Sequence, residues 1–440
     1  MSTTQIKTPK GTRDWAEDDL ILRNAVFAKI RRVFELHGGA EIDTPVFELK
    51  SYLTDNYGED TKLIYNLQER GGELCALRYD LTVPFARWLA MGNIRHIKRF
   101  QIGKVYRRDQ PAVSRGRMRE FFQCDFDYAG EFDSMVPDAE VVSITAEVFE
   151  ALDLPVTIRI NHRLILDGLF SALDKLPWDE VQKEMETKGL DASVATKLGG
   201  YVLLGSAGEF DLAASLEMLK SDPLLLKNAD IQKGVEEVEL LLQYLNAYGV
   251  ATYVKFDLSL ARGLDYYTGL IYEVVLDDEG TEAKLQVGSV AAGGRYDSLV
   301  GKFSSRDIPC VGISFGIDRI LTVLKARQEA NLKPQTSRRL DVWIIIASSN
   351  TLLVEQRIVI ARELRQADIS VDFDAKADKK PRKQMDVAKK SASVVVFLEY
   401  TDVSPGGIRV KTLALPEKNL DNATAVDRKD LVCEVKKRLA

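Results

Sequence analysis

The sequence predicts an α+β protein with a mainly antiparallel body, a helical insertion and a compact α/β domain at its C-terminal end. Three observations lead there. Stretches rich in β-formers run from Lys98 to Tyr106, from Glu120 to Tyr128 and from Gly269 to Leu276, and the first two read as a hairpin with a long loop. From about Gly168 to Tyr253 the strand signals fade and the pattern turns helical. Beyond a polar linker, strands and helices alternate, the pattern of a largely parallel sheet covered by helices.

In chain order, the first element is a helix. Leu22, Val26, Ile30, Val33 and Phe34 recur at helical spacing, and His37–Gly38–Gly39 supplies the stop. An extended stretch from Glu41 to Thr44 runs into Pro45, and the hairpin and the helical insertion follow. After the strand ending at Leu276, the small-residue run Gly312–Ile313–Ser314–Phe315–Gly316 reads as a strand leading into a helix. Ala326 to Arg339 is polar and reads as a linker. Asp341 to Ile346 is then strand, and Thr351 to Gln366 is helix behind the capping cluster Ser348–Ser349–Asn350. Ser370 to Phe373 is strand, Lys383 to Ala392 helix and Ser393 to Leu398 strand, with a last helix from about Ala425 to Leu439. The expected division is a body in two parts, residues 1–167 and 254–325, interrupted by the insertion 168–253. A linker, 326–339, joins it to a domain at 340–440.

Composition excludes several classes. Of 440 residues 45% are hydrophobic and 29% charged, as in globular domains, and runs such as Val394–Val395–Val396–Phe397 are far too short to span a bilayer. The polar start, Met1 to Lys10, lacks the apolar stretch of a secretory signal. Four cysteines, Cys75, Cys124, Cys310 and Cys433, show no spacing of a disulfide framework or zinc site, so reduced thiols and a cytoplasmic location are the expectation. With a formal charge of −6, any contact with nucleic acid must come from local basic patches and weaken as salt rises. Only three histidines occur, His37, His96 and His162, which makes histidine triads and multi-histidine metal sites poor candidates. Arginines and carboxylates are left to carry the chemistry.

No P-loop lysine motif and no strand–GxGxxG–helix fingerprint is present. The strongest signal is basic: Arg95, Lys98, Arg99, Lys104, Arg107, Arg108, Arg115, Arg117 and Arg119 stand against the single acid Asp109. Such a run is ordinarily a solvated face; here it occupies strands and a loop, and guanidinium forks suit phosphates and carboxylates. A second constellation is Arg262–Gly263–Leu264–Asp265–Tyr266–Tyr267–Thr268–Gly269, which taken alone is equally a strand entry with core aromatics. A third, Ala291–Ala292–Gly293–Gly294–Arg295–Tyr296–Asp297, has paired glycines that either make a turn or let a ligand approach the backbone. The fourth runs from Gly312 to Arg319 and puts an arginine near a helix start. Each is weak alone; their order is specific.

That order resembles histidyl-tRNA synthetases of the eukaryotic type over essentially the whole chain, from Gly11–Thr12–Arg13–Asp14 onward. The resemblance implies a class II synthetase fold, an antiparallel sheet flanked by helices. The helix and strand ending at Pro45 resemble its first motif, which builds a homodimer interface in that family. Tyr106–Arg107–Arg108 through Phe121–Phe122–Gln123 resembles the second, and Gly312 to Arg319 the third. The Arg262-to-Gly269 and Ala291-to-Asp297 segments resemble the two signatures of the histidyl class. The implied activity is ligation of histidine to its tRNA, with ATP as co-substrate and Mg²⁺ as accompanying ion.

The resemblance further implies that Arg107 and Arg319 hold ATP phosphates, and that Arg262 faces the α-phosphate and the histidine carboxylate. Asp80, Thr82 and Gln123 fix the amino and carboxyl ends of histidine, while Asp127, Tyr266 and Tyr267 surround its imidazole. Arg115 and Arg117 meet the tRNA acceptor end or the phosphates, and the domain from about Leu340 reads the anticodon. The sequence departs from the family in two places. Between Phe170 and Trp178 it is shorter by roughly 15 residues, or about four helical turns, and Met118 stands where an aromatic is expected. The N-terminal helical RNA-binding appendage of many animal relatives is also absent. The competing readings are a non-catalytic regulatory paralogue, a class II synthetase for another amino acid, and a plain RNA-binding module. Neither the paralogue nor the module would show ATP-dependent exchange, and the amino acid that supports exchange would decide the other.

Overall fold

The computed structural model describes residues 6–54, 56–68, 72–92, 94–172, 212–221, 228–263, 266–277, 287–330, 340–346, 351–376, 379–400, 405–413 and 423–439. The chain forms two compact units, Met1–Leu332 and Lys333–Ala440.

The first unit is built on an eight-stranded sheet. Its strands are β1 (Ala40–Glu41), β4 (Ile97–Tyr106), β5 (Glu120–Ala129), β6 (Val156–His162), β7 (Val254–Phe256), β8 (Leu270–Leu276), β9 (Ala291–Arg295) and β10 (Cys310–Gly316). Their spatial order is β1-β4-β5-β10-β9-β8-β6-β7. Only the two edge pairings, β1 with β4 and β6 with β7, are parallel. The expected hairpin is β4–β5, in register from Ile97↔Ala129 to Tyr106↔Glu120.

One face of this sheet is apolar. Helix α1 (Glu17–Leu36) buries Val26, Ile30, Val33 and Phe34, the face read from its periodicity, and ends at His37 with Gly38 at φ 75°. Helix α4 (Val136–Ala151) lies on the same core. The Phe34 ring packs 5.3 Å from Phe126 and 5.9 Å from Phe315, so helix and central strands share one cluster. Gly39 is required there, because a Cβ would strike Phe126, Phe100 and the Phe34 carbonyl. The opposite face of β4, β5 and β10 carries polar residues, which strand alternation makes possible.

Of the predicted helical insertion, the described parts are α5 (Arg163–Ala172) and the helices Leu212–Ser221 and Ala229–Tyr248. The second of these helices is capped by Asn228, which accepts from the N–H of Asp230 and Ile231. The short segment between Phe170 and Trp178 lies largely outside the described residues. The predicted linker begins later than expected, because the helix Ile317–Ala330 runs through Ala326.

The second unit has a five-stranded sheet of β11 (Leu340–Ile346), β12 (Val371–Phe373), β13 (Ala392–Tyr400), β14 (Pro405–Thr412) and β15 (Thr424–Val426), ordered β12-β11-β13-β14-β15. The helices Thr351–Gln366, Pro381–Ser391 and Leu431–Leu439 accompany it. Two expectations need correction. The sheet is mixed rather than largely parallel, since β13–β14 and β14–β15 are antiparallel. The last helix starts at Leu431, and Ala425 belongs to a strand instead. The predicted capping cluster Ser348–Asn350 lies outside the described residues.

Candidate active site

The polar face of the sheet forms the floor of a cavity of about 480 Å³. Directly opposed residues on paired strands share a face, so the register sets three rows across it. Arg99, Asp127 and Gly312 form one, Gln101, Asp125 and Ser314 the next, and Gly103, Gln123 and Gly316 the third.

The first row is a buried ion pair. Arg99 is fully buried, its Nη2 lies 2.6 Å from Asp127, and it donates to the Leu81 carbonyl at 3.1 Å. Its guanidinium stacks 4.3 Å from the Phe85 ring. Asp127 also accepts from the Tyr296 hydroxyl. Burial pushes the Asp127 carboxyl up, and Arg99 pulls it back. Gly312 completes the row because a Cβ there would overlap the Asp127 carboxylate. The glycine pair Gly293–Gly294 makes no turn: it lies within β9, where a Cβ on Gly293 would strike Tyr272 and the Gly312 carbonyl, and one on Gly294 the Tyr267 ring.

Gln123 is 8% exposed, and its Oε1 is buried without a partner on the cavity wall. Asp80 stands at the start of α3 (Thr82–Gly92), where its Oδ1 accepts the N–H of Thr82 and Val83 at 3.1 Å each. Burial raises its carboxyl above the ordinary range. Tyr57 and Tyr79 pack beside it with centroids 4.7 Å apart, and burial lifts the Tyr79 hydroxyl to about 12. Tyr266 and Tyr267 line the cavity with ring centroids 4.4 Å apart. Gly263 supports them with φ 60°, and a side chain there would collide with Tyr267.

The other wall is cationic. Arg107, just beyond β4, donates Nε to the Tyr79 carbonyl at 3.1 Å and lies 4.1 Å from the Tyr79 centroid. Arg262 pairs with Glu273 at 2.8 Å. Arg117 pairs with Asp109, and Arg319 donates to the Ser289 carbonyl. The Arg319 guanidinium is held below its ordinary range first by burial, then by Arg117, Arg107 and Arg262. Four guanidiniums thus converge on this wall, with Asp109 and Glu273 each paired to one of them.

The cavity thus brings together Asp80, Thr82, Arg107, Arg117, Gln123, Asp127, Arg262, Tyr266, Tyr267 and Arg319. Arg115 is not among its lining residues; it is exposed on the turn Val113–Arg115. Met118 is buried in the wall. Sequence reasoning missed Glu273, Tyr57, Tyr79 and Ser289. It read Arg99 only as one of a basic run and Tyr296 only as part of a signature. It also missed the brace behind Arg319, where Asp318 takes Arg13 on one oxygen and the Phe122 N–H on the other. Among the described residues, no three His, Cys, Asp or Glu side chains are grouped to hold a metal.

A family model described as histidyl-tRNA synthetase matches residues 11–320. The mitochondrial histidine–tRNA ligase of Saccharomyces cerevisiae is 44% identical over 99% of this chain and 87% of its own length. The cytoplasmic enzyme of Takifugu rubripes is 43% identical over 98% and 88%. Among solved structures, the histidyl-tRNA synthetase of Nostoc sp. PCC 7120 superposes with a TM-score of 0.78 at 28% identity, covering 99% of this chain and 100% of that one. The chain therefore belongs to the histidyl-tRNA synthetase family.

Proposed function

We propose that this cavity activates L-histidine with ATP, releases pyrophosphate, and then passes the histidyl group to the 3′-terminal ribose of its tRNA. Family membership makes the chain an aminoacyl-tRNA ligase; the residue roles are our reading. The observation that carries it is the division of one cavity into four convergent arginines and a floor of buried acids. The arginines suit a polyphosphate, and the acids suit an ammonium and an imidazole.

In the first step a histidine carboxylate oxygen attacks the α-phosphorus, and the bond to the bridging oxygen of pyrophosphate breaks. The carboxylate is already ionised, so no general base is needed. The barrier is charge, and prepositioned donors are worth about 3–4 kcal/mol each in such a site. Arg262 faces the reacting α-phosphate and carboxylate, exchanging its Glu273 contact for them. Arg107 and Arg319 hold the phosphates, and Phe121 on the same wall offers its ring to the base. Asp80, Thr82 and Gln123 hold the amino and carboxyl ends, and Asp127, Tyr266 and Tyr267 enclose the imidazole. Mg²⁺ would arrive on the phosphates, where Glu273 on the cavity wall would help hold it, and it would supply neutralisation of phosphate charge. An apolar side chain would offer no hydrogen bond to the polar groups assigned to the imidazole, Asp127, Tyr266 and Tyr267, which is a basis for rejection.

In the second step a ribose hydroxyl attacks the histidyl carbonyl, AMP departs, and the hydroxyl proton leaves with it. Arg117, on the cavity wall, and Arg115, exposed on the turn before it, would meet the acceptor end. The second unit would read the anticodon, and Arg382, Lys383, Lys389 and Lys390 stand exposed on one of its helices. A homodimer is supported by the exposed apolar residues Val46, Phe47, Leu74 and Met91 around the small β2–β3 sheet (Phe47–Leu49 with Cys75–Leu77). Relatives are named both cytoplasmic and mitochondrial; the cytoplasm is the proposed compartment, and fractionation of a C-terminally tagged chain separates the two.

The deciding measurement is ATP–pyrophosphate exchange with each amino acid, beside charging of histidine tRNA. Exchange with histidine alone, followed by charging, is the expected result. No exchange from folded protein would favour a regulatory paralogue.

A further inference from the structure

The middle row of the floor has no part in the mechanism above. Asp125 is 1% exposed and lies on β5 between Gln123 and Asp127, on the same face as both. Its Oδ1 is buried without a hydrogen-bond partner, as is Oγ of Ser314, the residue opposite it on the cavity wall. The groups facing Asp125 are few. From β4 comes Arg99, whose Nη2 contacts Asp127 while Nε and Nη1 have no hydrogen-bond partner. Arg78 approaches from beside β3, but it is held by the carbonyls of Thr44 and Lys104 at 2.7 Å each. Asp80 and Asp127 are the neighbouring acids. The adjacent Cys124 thiol is pushed up by burial and stays neutral. The floor thus holds three acids, Asp80, Asp125 and Asp127, in a place where an unbalanced charge is costly: Arg99 pairs with Asp127, Arg107 acts on Asp80, and Arg78, its guanidinium already committed to carbonyls, is the other cation near Asp125.

We propose that Asp125 is a positioning residue for the amino-acid substrate, which keeps its proton before the ligand binds and releases it to solvent when the α-ammonium of the ligand enters. This rests on the reading of Gln123 and Asp80 as the groups that hold the ends of the amino acid. The carboxyl O–H bond breaks, the proton goes to bulk water, and the ligand remains an ammonium. The new carboxylate then fixes the ammonium through the Ser314 hydroxyl and its own charge. Amino acids are thereby distinguished from carboxylates that lack an ammonium, since only a cation offsets the second negative charge. Burial lifts the Asp125 carboxyl to about 7, with Arg99 opposing and Asp127 adding to the rise.

The test is the pH profile of the histidine KM in pyrophosphate exchange, for the wild type and for Asp125→Asn. With a group titrating near 7, its contribution to histidine affinity rises about tenfold between roughly pH 6 and 8. Asp125→Asn should lose that component and leave the ATP KM nearly unchanged. The ligand's own imidazole titrates identically in both proteins, so the difference belongs to Asp125. Equal slopes in the two proteins overturn the proposal, as does a parallel loss for both substrates. Should Asp125→Asn fail to fold, infrared difference spectra of the wild type near pH 6 decide instead. Adding L-histidine should remove a protonated-carboxyl stretch, and an unchanged stretch overturns the proposal. Wild-type protein inactive with every amino acid defeats the ligase reading itself, a result distinct from either of these.

Discussion

On one side of the cavity stand Arg107, Arg117, Arg262 and Arg319, none fully buried and each tethered by a carbonyl or a lone carboxylate. On the other lie Asp80, Asp127 and, on the same strand face as Asp127, Asp125, all at most 9% exposed, with the fully buried Arg99 paired to Asp127. The cationic wall exchanges its weak tethers for phosphate and is assembled by its ligand. The acidic floor is assembled by folding, since the desolvation cost of its Arg99–Asp127 pair is met before any ligand arrives. Mutations on the two sides should therefore fail in different ways: on the wall in rate, on the floor in recognition and stability together.

The largest effect is expected from Arg262→Ala. It removes a donor aimed at the developing charge and frees only a partly exposed partner, Glu273. Histidine-dependent exchange should fall by about 10²–10³-fold with the thermal midpoint nearly unmoved. Unchanged exchange by a folded variant would break the comparison on the cationic side.

Asp127→Ala tests the other side. Arg99 would lose its carboxylate in a place without solvent, and breaking a buried pair in this way costs about 3–5 kcal/mol. The denaturant midpoint should drop, and the histidine KM should rise far more than the ATP KM. Equal losses for both substrates would make Asp127 a structural residue only.

How legible this was differs between the two regions. The wall arginines could be found from local motifs, because Arg107, Arg262 and Arg319 stand in short runs whose order is specific. The floor depends on register. Arg99 is buried because it falls directly opposite Asp127, and Ser314 faces Asp125 by the pairing of β10 with β5. A signal was present in β5, where Gln123, Asp125 and Asp127 alternate with the core residues Cys124 and Phe126. Alternation with acids on the inner positions marks a polar cavity rather than a solvated face. Similar limits applied in the second unit: the last strand expected there is Ser393 to Leu398, yet Pro405–Thr412 adds β14 and makes the sheet mixed. Glu273 gave no motif at all, since only the packing of β8 brings it to Arg262.

The smallest effect is expected where the same chemistry lacks burial. His37, at the end of α1, reaches Glu140 and Glu147 of α4 at 3.1 Å, with 15% of its side chain exposed. Its imidazole is raised above 6.5, chiefly by the hydrogen bond with Glu140. Glu140 is driven below 4.5 by His37 and Lys98, which together outweigh its burial. The signs are opposite. The His37 contribution is complete below pH 6.5 and fades as pH rises through the raised value; that of Glu140 is complete above 4.5 and fades as pH falls through the lowered one. The contact thus gives most between these limits, and screening holds it to roughly 0.5–1 kcal/mol. His37→Gln should lose that small increment at pH 6 and almost none at pH 9, measured by urea denaturation. A loss of several kcal/mol, or one independent of pH, would show that partial exposure does not separate this contact from the buried floor, and that the contrast lies in the surrounding residues rather than in solvent.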